Sequence, residues 1–166
     1  MTESSRTPTA DQPHPDPEVW APRLARILDL QITLYEQLAA LAAEQSQFID
    51  AEETDGLLDI LGRREQLIEQ IALTNQEVAP FVQSWERLAP TLPSRHRIVL
   101  RQRFDSVAAI VDQIAQRDEA DRKRLEARRT RIGQEIEGLS NVRGAINAYT
   151  RPAVPGGGPI FQDSRG

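Results

Sequence analysis

Apolar side chains recur every seven residues toward the end of the chain, and this repeat restricts the fold more than any other feature of the sequence. No proline occurs between Pro93 and Pro152. An uninterrupted seven-residue repeat is typical of an amphipathic helix packed against other helices. It predicts one helix over about 95–149, roughly 80 Å long at the usual rise per residue. The main column is Phe104, Val111, Asp118, Leu125, Ile132, Leu139 and Ile146, and an adjoining one is Val107, Ile114, Val142 and Tyr149.

Two earlier segments carry the same kind of repeat and predict helices over about 18–50 and 55–89. Pro80 lies inside the second repeat, and because the register survives across it, we expect a kink and not a helix end. In the first segment the columns are Ile27, Leu34, Leu41, Phe48 and Leu28, Tyr35, Ala42, Ile49. In the second, Leu57, Leu61, Arg64, Ile68, Ile71, Asn75, Val78, Val82 and Trp85 are spaced by four and three.

These repeats predict an all-α fold, an antiparallel long-helix bundle or coiled coil of about three helices. The first two helices are joined by a short acidic turn that ends in Gly56, so we expect them to form a hairpin. Aromatic residues make up only 5% of the chain, which suits aliphatic helix packing better than a sheet. We expect a helical bundle over 19–150, a disordered, proline-rich tail over 1–18 and a flexible tail over 151–166.

The unequal helix lengths predict that the last helix overhangs the bundle. Its first half, with Phe104, Val107, Val111 and Ile114, can complete the bundle. The rest keeps an apolar stripe without an intramolecular partner, and such surface marks interaction sites. The stripe could bind an amphipathic helix of another protein, could pair with its own copy in a homodimer, or could fold back after a break at Gly133, Gly138 or Gly144. It consists of Leu125, Ile132, Ile136, Leu139, Val142 and Ile146.

Composition excludes several function classes. With no cysteine, no phosphate-binding loop and no nucleophile beside a base, we expect neither an enzyme nor a bound cofactor. His14 and His96 are the only histidines and lack further ligands in register, so we expect no metal site. A net charge of −5 argues against nucleic-acid binding. The arginine-rich stretch 117–131 is interleaved with carboxylates, which predicts a solvated helix face with ion pairs such as Asp118–Arg122.

Two stretches carry a resemblance to a known family. They are Leu34-Tyr35-Glu36-Gln37-Leu38-Ala39-Ala40-Leu41-Ala42-Ala43-Glu44-Gln45 and Leu57-Leu58-Asp59-Ile60-Leu61-Gly62-Arg63-Arg64-Glu65-Gln66-Leu67-Ile68. Together with Ala148-Tyr149 before a Gly/Pro-rich tail and Phe161-Gln162-Asp163, they resemble the FlgN family of flagellar export chaperones over about residues 20–166. Thr150 stands where glycine is usual in that family. The FliT-like flagellar chaperones are a second, sister resemblance.

The resemblance implies a cytoplasmic chaperone that acts by binding. FlgN-like proteins bind the C-terminal helices of the hook–filament junction proteins FlgK and FlgL and deliver them to the export gate protein FlhA. Carried onto this sequence, the cargo surface is the stripe from Leu125 to Ile146, and Tyr149 is the contact to the gate. The alternative is a structural coiled-coil homodimer or scaffold. The polar N-terminus has no apolar signal region and no segment is apolar enough for a membrane span, so we expect a soluble protein.

Overall fold

The computed structural model describes residues 16–150. The tails predicted at 1–18 and 151–166 lie outside the described residues, except for residues 16–18 at the start of the first helix. The described elements are α1 (Pro17–Asp50), α2 (Thr54–Gln83), α3 (Trp85–Leu88), a 3₁₀-helix (Ala89–Thr91) and α4 (Ser94–Thr150). The long helices α1, α2 and α4 pack antiparallel, which confirms the predicted all-α fold.

Local signals place the first helix boundaries. The Asp16 carboxylate accepts a hydrogen bond from the Glu18 backbone N–H at 2.9 Å and so caps α1, while Pro17 occupies the first turn. At the other end, the Glu52 backbone has a φ of 58°. The N–H of Glu53 donates to the Phe48 carbonyl and that of Glu52 to the Ile49 carbonyl. This is a Schellman motif, and it turns the chain from α1 into α2.

The chain divides into two compact units, Met1–Leu125 and Glu126–Gly166. The main core of the first unit lies where α1 begins and α2 ends. Trp20 and Phe81 pack there with ring centroids 6.0 Å apart. A smaller cluster follows midway along the helices. The large cluster contains Trp20, Ala21, Leu24, Ile27, Leu28, Val78, Phe81, Leu88, Leu92 and Leu100, and the smaller one Leu34, Leu38, Ile71 and Ile114.

Helix α2 passes through Pro80 and ends three residues later. The Pro80 carbonyl still accepts a hydrogen bond from the Ser84 backbone N–H at 3.2 Å. Ser84 separates α2 from the short helix α3, which brings Leu88 into the main core. A proline lacks the N–H that would bond to the preceding turn, so a helix that contains one is weakened nearby. The predicted second helix over 55–89 is therefore two helices, α2 and α3, followed by a 3₁₀ turn.

The packing of α4 in the first unit differs in part from the sequence prediction. Phe104 packs against the main core and Ile114 lies in the smaller cluster, as expected. Val111, however, is 40% exposed, and Ile110 packs against the smaller cluster instead. The seven-residue spacing predicted which face of α4 packs against the bundle. It did not predict which edge of that face the other helices bury, because the positions of those helices decide it.

Candidate functional site

Residues 126–150 of α4, in the second unit, carry a series of exposed apolar side chains. Ile132, Ile136 and Leu139 are 42%, 62% and 70% exposed, and Val142 and Ile146 are 56% and 55% exposed. Side chains three, four and seven residues apart lie on one face of a helix, so these five form one stripe. No side chain between 126 and 150 is buried. The stripe is an apolar surface of the kind that binds another helix.

The two remaining predicted site residues are exposed as well. Leu125, the last residue of the first unit, is 40% exposed, and Tyr149 in the second unit is 96% exposed. Tyrosine is enriched at protein interfaces, because its ring contributes strongly when it is buried there. Exposure makes all seven residues accessible, and their roles in binding stay predictions.

Three glycines lie within the stripe segment. Gly133, Gly138 and Gly144 are all helical, since α4 runs from Ser94 to Thr150 without a break. A Cβ atom added at any of the three would meet nothing within 4 Å. The alternative in which the chain breaks at one of these glycines and folds back is therefore wrong. It failed because glycine only lowers helix propensity by about 1 kcal/mol and does not by itself end a helix.

The family model described as FlgN protein matches residues 20–155 of this chain. The chain belongs to the FlgN family. The resemblance found in the sequence is thereby confirmed, and with it the class of protein, because FlgN proteins are flagellar export chaperones and not enzymes. No curated protein and no solved structure shows a significant match to the chain.

This FlgN protein also contains a buried polar cluster in its first unit, which the sequence patterns did not predict. Asp121 of α4 is only 1% exposed. Its carboxylate accepts hydrogen bonds from Gln45 at 3.0 Å and from Ser46 at 2.9 Å, both on α1. Arg64 of α2 donates to Gln45 at 3.0 Å and forms a two-pronged ion pair with Asp118, at 2.8 and 2.7 Å. The cluster therefore joins α1, α2 and α4.

Two members of this cluster were visible in the sequence as exceptions to the repeat. Arg64 occupies a position in the apolar column of the second helix, and Asp118 is the polar member of the column in the last. Opposite charges at core positions of two helices indicate a pair that sets their register. Gln45, Ser46 and Asp121 carry no such signal, because only the packed helices bring them together.

The arginine-rich stretch 117–131 forms several ion pairs, as predicted, but Asp118 and Arg122 have other partners than the predicted ones. Asp118 pairs with Arg64, so the expected Asp118–Arg122 pair is wrong. Arg122 instead donates to both carboxylate oxygens of Glu119 at 2.9 Å. This hydrogen bonding, with the nearby charges of Arg122 and Lys123, holds the pKa of Glu119 below its ordinary value. Arginines in this stretch are thus partly neutralised by carboxylates on the same helix.

One histidine lies in the described part of the chain. His96 contacts the carboxylate of Glu18 at 3.3 Å, and Arg95 forms an ion pair with the same carboxylate. The hydrogen bond to His96, followed by the contacts with Arg95, lowers the pKa of Glu18. His14 lies outside the described residues. Within 16–150, no group of three or more His, Asp or Glu side chains could hold a metal ion. No helix described in this structure is long and apolar enough to cross a membrane.

Proposed function

We propose that this FlgN protein binds the C-terminal amphipathic helices of the hook–filament junction proteins FlgK and FlgL and delivers them to the flagellar type III export gate in the cytoplasm. The observation that carries the proposal is the exposed stripe of α4. Its members Ile132, Ile136 and Leu139 keep roughly half or more of their surface open to solvent. The family supplies the class of cargo.

The binding mechanism is burial and involves no chemistry. An amphipathic cargo helix presents apolar side chains at positions i, i+3, i+4 and i+7, which match the spacing of the stripe. Apolar area removed from water contributes about 25 cal/mol per Å² before the costs of association are subtracted. Covering the cargo helix also prevents its apolar face from associating with other copies before export. The stripe thus stabilises cargo in an unassembled state.

The proposal is tested with Ile132→Asp combined with Leu139→Asp. Two carboxylates on the stripe would be desolvated by a bound helix, so binding to C-terminal fragments of FlgK and FlgL should weaken by at least about a hundredfold. The matched control is Gln134→Asp with Asn141→Asp, which adds the same charge with the same spacing on the opposite, exposed face. Isothermal titration calorimetry measures binding, and circular dichroism measures helix content.

Three outcomes would contradict the proposal. Equal loss of binding in the control would mean that net charge, and not the stripe, is responsible. A collapse of helix content in the stripe variant would mean that these side chains are core. A stable homodimer that the stripe variant dissociates, with no binding of FlgK or FlgL fragments, would assign the stripe to a second copy of this chain. Light scattering on the free protein distinguishes this last case.

We further propose that Tyr149 docks the chaperone to the export gate protein FlhA. Its ring is almost fully exposed at the end of α4, one residue before the described helix ends. Tyr149→Ala should abolish binding of the chaperone–cargo complex to the cytoplasmic domain of FlhA while cargo affinity stays within about twofold. Asn147→Ala, also exposed, is the control. Loss of cargo binding in Tyr149→Ala would place this residue in the cargo surface instead.

A further inference from the structure

A concave apolar site lies in the first unit, at the turn between α2 and α4. It has a volume of about 560 Å³, within the range of ligand-binding clefts. Trp85 of α3 and Phe104 of α4 form its floor, with ring centroids 5.3 Å apart in an edge-to-face contact. Val82, at the end of α2, lines the mouth and is 54% exposed. The site is thus an open pocket with an aromatic floor.

The rim of this pocket is positively charged in an acidic protein. Residues 85–104 contain five arginines and one glutamate, whereas the whole chain has a net charge of −5. Carboxylates from α1 neutralise two of the arginines, since Arg95 pairs with Glu18 and Arg103 with Asp29. Among residues 16–150, no carboxylate forms an ion pair with the two arginines that line the pocket.

Arg97 and Arg101 are the two arginines of the pocket rim. Arg97 donates to the backbone carbonyl of Leu92 at 3.0 Å, and Arg101 has no hydrogen-bond or ion-pair partner among residues 16–150. They lie four residues apart on α4, where like charges repel and destabilise a helix. Two uncompensated guanidinium groups beside an aromatic floor favour a ligand that is both anionic and apolar.

We propose that this pocket, which we call the Trp85 pocket, binds an acidic amphipathic segment of a partner protein. One apolar side chain of the segment enters the pocket against Trp85 and Phe104, and flanking carboxylates pair with Arg97 and Arg101. The pocket lies wholly in the first unit and shares no residue with the stripe of α4. It therefore offers this chaperone a second binding site, distinct from the proposed cargo surface.

The shape and charge of the rim favour a polypeptide over other anions. The Glu86 carboxylate lines the same rim and would repel a ligand that carries negative charge along its whole length, such as a chain of phosphates or an anionic membrane surface. A peptide can instead place its carboxylates beside Arg97 and Arg101 and away from Glu86. The aromatic floor is concave, whereas a membrane or a stacked base needs an open platform. A single apolar side chain with carboxylates on either side meets both requirements of the site.

The test uses the fluorescence of Trp85 in the full-length protein carrying Trp20→Phe, so that Trp85 is the remaining tryptophan. Trp20 is 1% exposed and its indole N–H has no hydrogen-bond partner in the described structure, so phenylalanine loses no hydrogen bond there. The probe is a short helical peptide of glutamate and alanine with one central phenylalanine. Its two controls replace the phenylalanine by alanine, or every glutamate by lysine. Circular dichroism verifies the fold of each variant.

The phenylalanine peptide should change Trp85 fluorescence in a saturable way, and both control peptides should bind at least about tenfold more weakly. The double variant Arg97→Glu with Arg101→Glu should bind the acidic peptide more weakly by a similar factor. The same variant should bind the lysine peptide more tightly than the unaltered protein does. The control Arg26→Glu, on the exposed face of α1 and outside the pocket, should leave affinity unchanged. Val82→Asp should weaken binding by charging the pocket mouth.

The proposal is overturned if Trp85 fluorescence does not respond to the acidic peptide, or if the alanine-centred peptide binds as well as the phenylalanine peptide. Equal binding of the acidic peptide to the charge-reversed variant would also overturn it, since the arginines would then have no part in recognition. A response to anionic lipid vesicles or single-stranded DNA without a response to the peptide would assign the pocket to one of those ligands.

Discussion

Asp121 is the residue whose surroundings depart furthest from its sequence context. It lies in an arginine-rich stretch that predicts a solvated face, yet its side chain is 1% exposed. Hydrogen bonds from Gln45 and Ser46 and an ion pair with Arg124 at 3.2 Å compensate for the loss of water around the carboxylate. A buried charge is tolerated only with such partners, so this end of the bundle depends on the whole set.

Replacing Asp121 with alanine should therefore lower the free energy of unfolding by about 3 kcal/mol. The loss arises because the buried Gln45 amide is left without its acceptor and the Ser46 hydroxyl keeps only the Ala42 backbone carbonyl, at 3.2 Å. Urea denaturation measures it, and Asp105→Ala, at an exposed position of the same helix, should change stability by less than about 0.5 kcal/mol. If the double variant with Ser46→Ala showed purely additive losses, the hydrogen bond between the two residues would contribute nothing.

Glu52 stores strain in the turn between α1 and α2. Its φ of 58° lies in the left-handed region, which costs an L-residue about 1 kcal/mol and costs glycine little. Glu52→Gly should accordingly raise the free energy of unfolding by about 1 kcal/mol. The neighbouring Ala51 has an ordinary φ of −79°, so Ala51→Gly should lower stability by about 0.5–1 kcal/mol. Thermal denaturation of the pair compares the two, and a loss of stability in both would contradict the strain at Glu52.

At the scale of the elements, α4 contains three glycines whose replacement should strengthen it. Because a Cβ at Gly133, Gly138 or Gly144 meets no atom within 4 Å, alanine fits at each site. Each substitution should favour the helix by up to about 1 kcal/mol, seen as higher helix content by circular dichroism. Gly56→Ala is the contrasting control, since a Cβ there would collide with the Phe48 ring. Unchanged helix content in the triple variant would mean that the segment is already fully helical in solution.

The end of α2 is a helix boundary that the apolar repeat does not predict. The apolar spacing continues through Pro80 to Trp85, and Trp85 does contribute to packing, but it does so from the separate helix α3. The repeat records which side chains face the core and not whether the backbone between them stays helical. A proline leaves both outcomes open locally, and the packing of Leu88 and Leu92 into the main core selects the turn.

At the scale of the whole molecule, burial is distributed unevenly. The first unit holds both apolar clusters and the polar cluster, whereas residues 126–150 of the second unit bury no side chain. Regions with few buried contacts open locally at low free energy. The second unit carries most of the proposed cargo stripe. It is thus the part of the protein that a bound partner can stabilise most against local opening.

Amide hydrogen exchange should reveal this difference directly. Amides of residues 126–150 should exchange much faster than those in the cores of α1 and α2, because their hydrogen bonds open without disrupting any core. Addition of FlgK or FlgL fragments should slow exchange in this segment alone. Equal protection of both regions in the free protein would show that the stripe is already covered, as in a homodimer.

The helical class, the α1–α2 hairpin and the family follow from sequence patterns that act locally. A seven-residue repeat, a proline or an N-cap acts through neighbours along one helix, so it is readable without knowing what lies opposite. The stripe of α4 and Tyr149 were identified in this way, and the structure places both on exposed surface.

Packing between helices decided the remaining features. The rotation and register of α4 against its neighbours decide three of them. They determine that Ile110 and not Val111 is covered, that Asp118 pairs with Arg64, and that Asp121 is buried. The Trp85 pocket likewise exists only because the turn after α2 brings Trp85 and Phe104 together. Such contacts join residues far apart in the chain, and a pattern read along one helix carries no information about the angle at which another helix meets it.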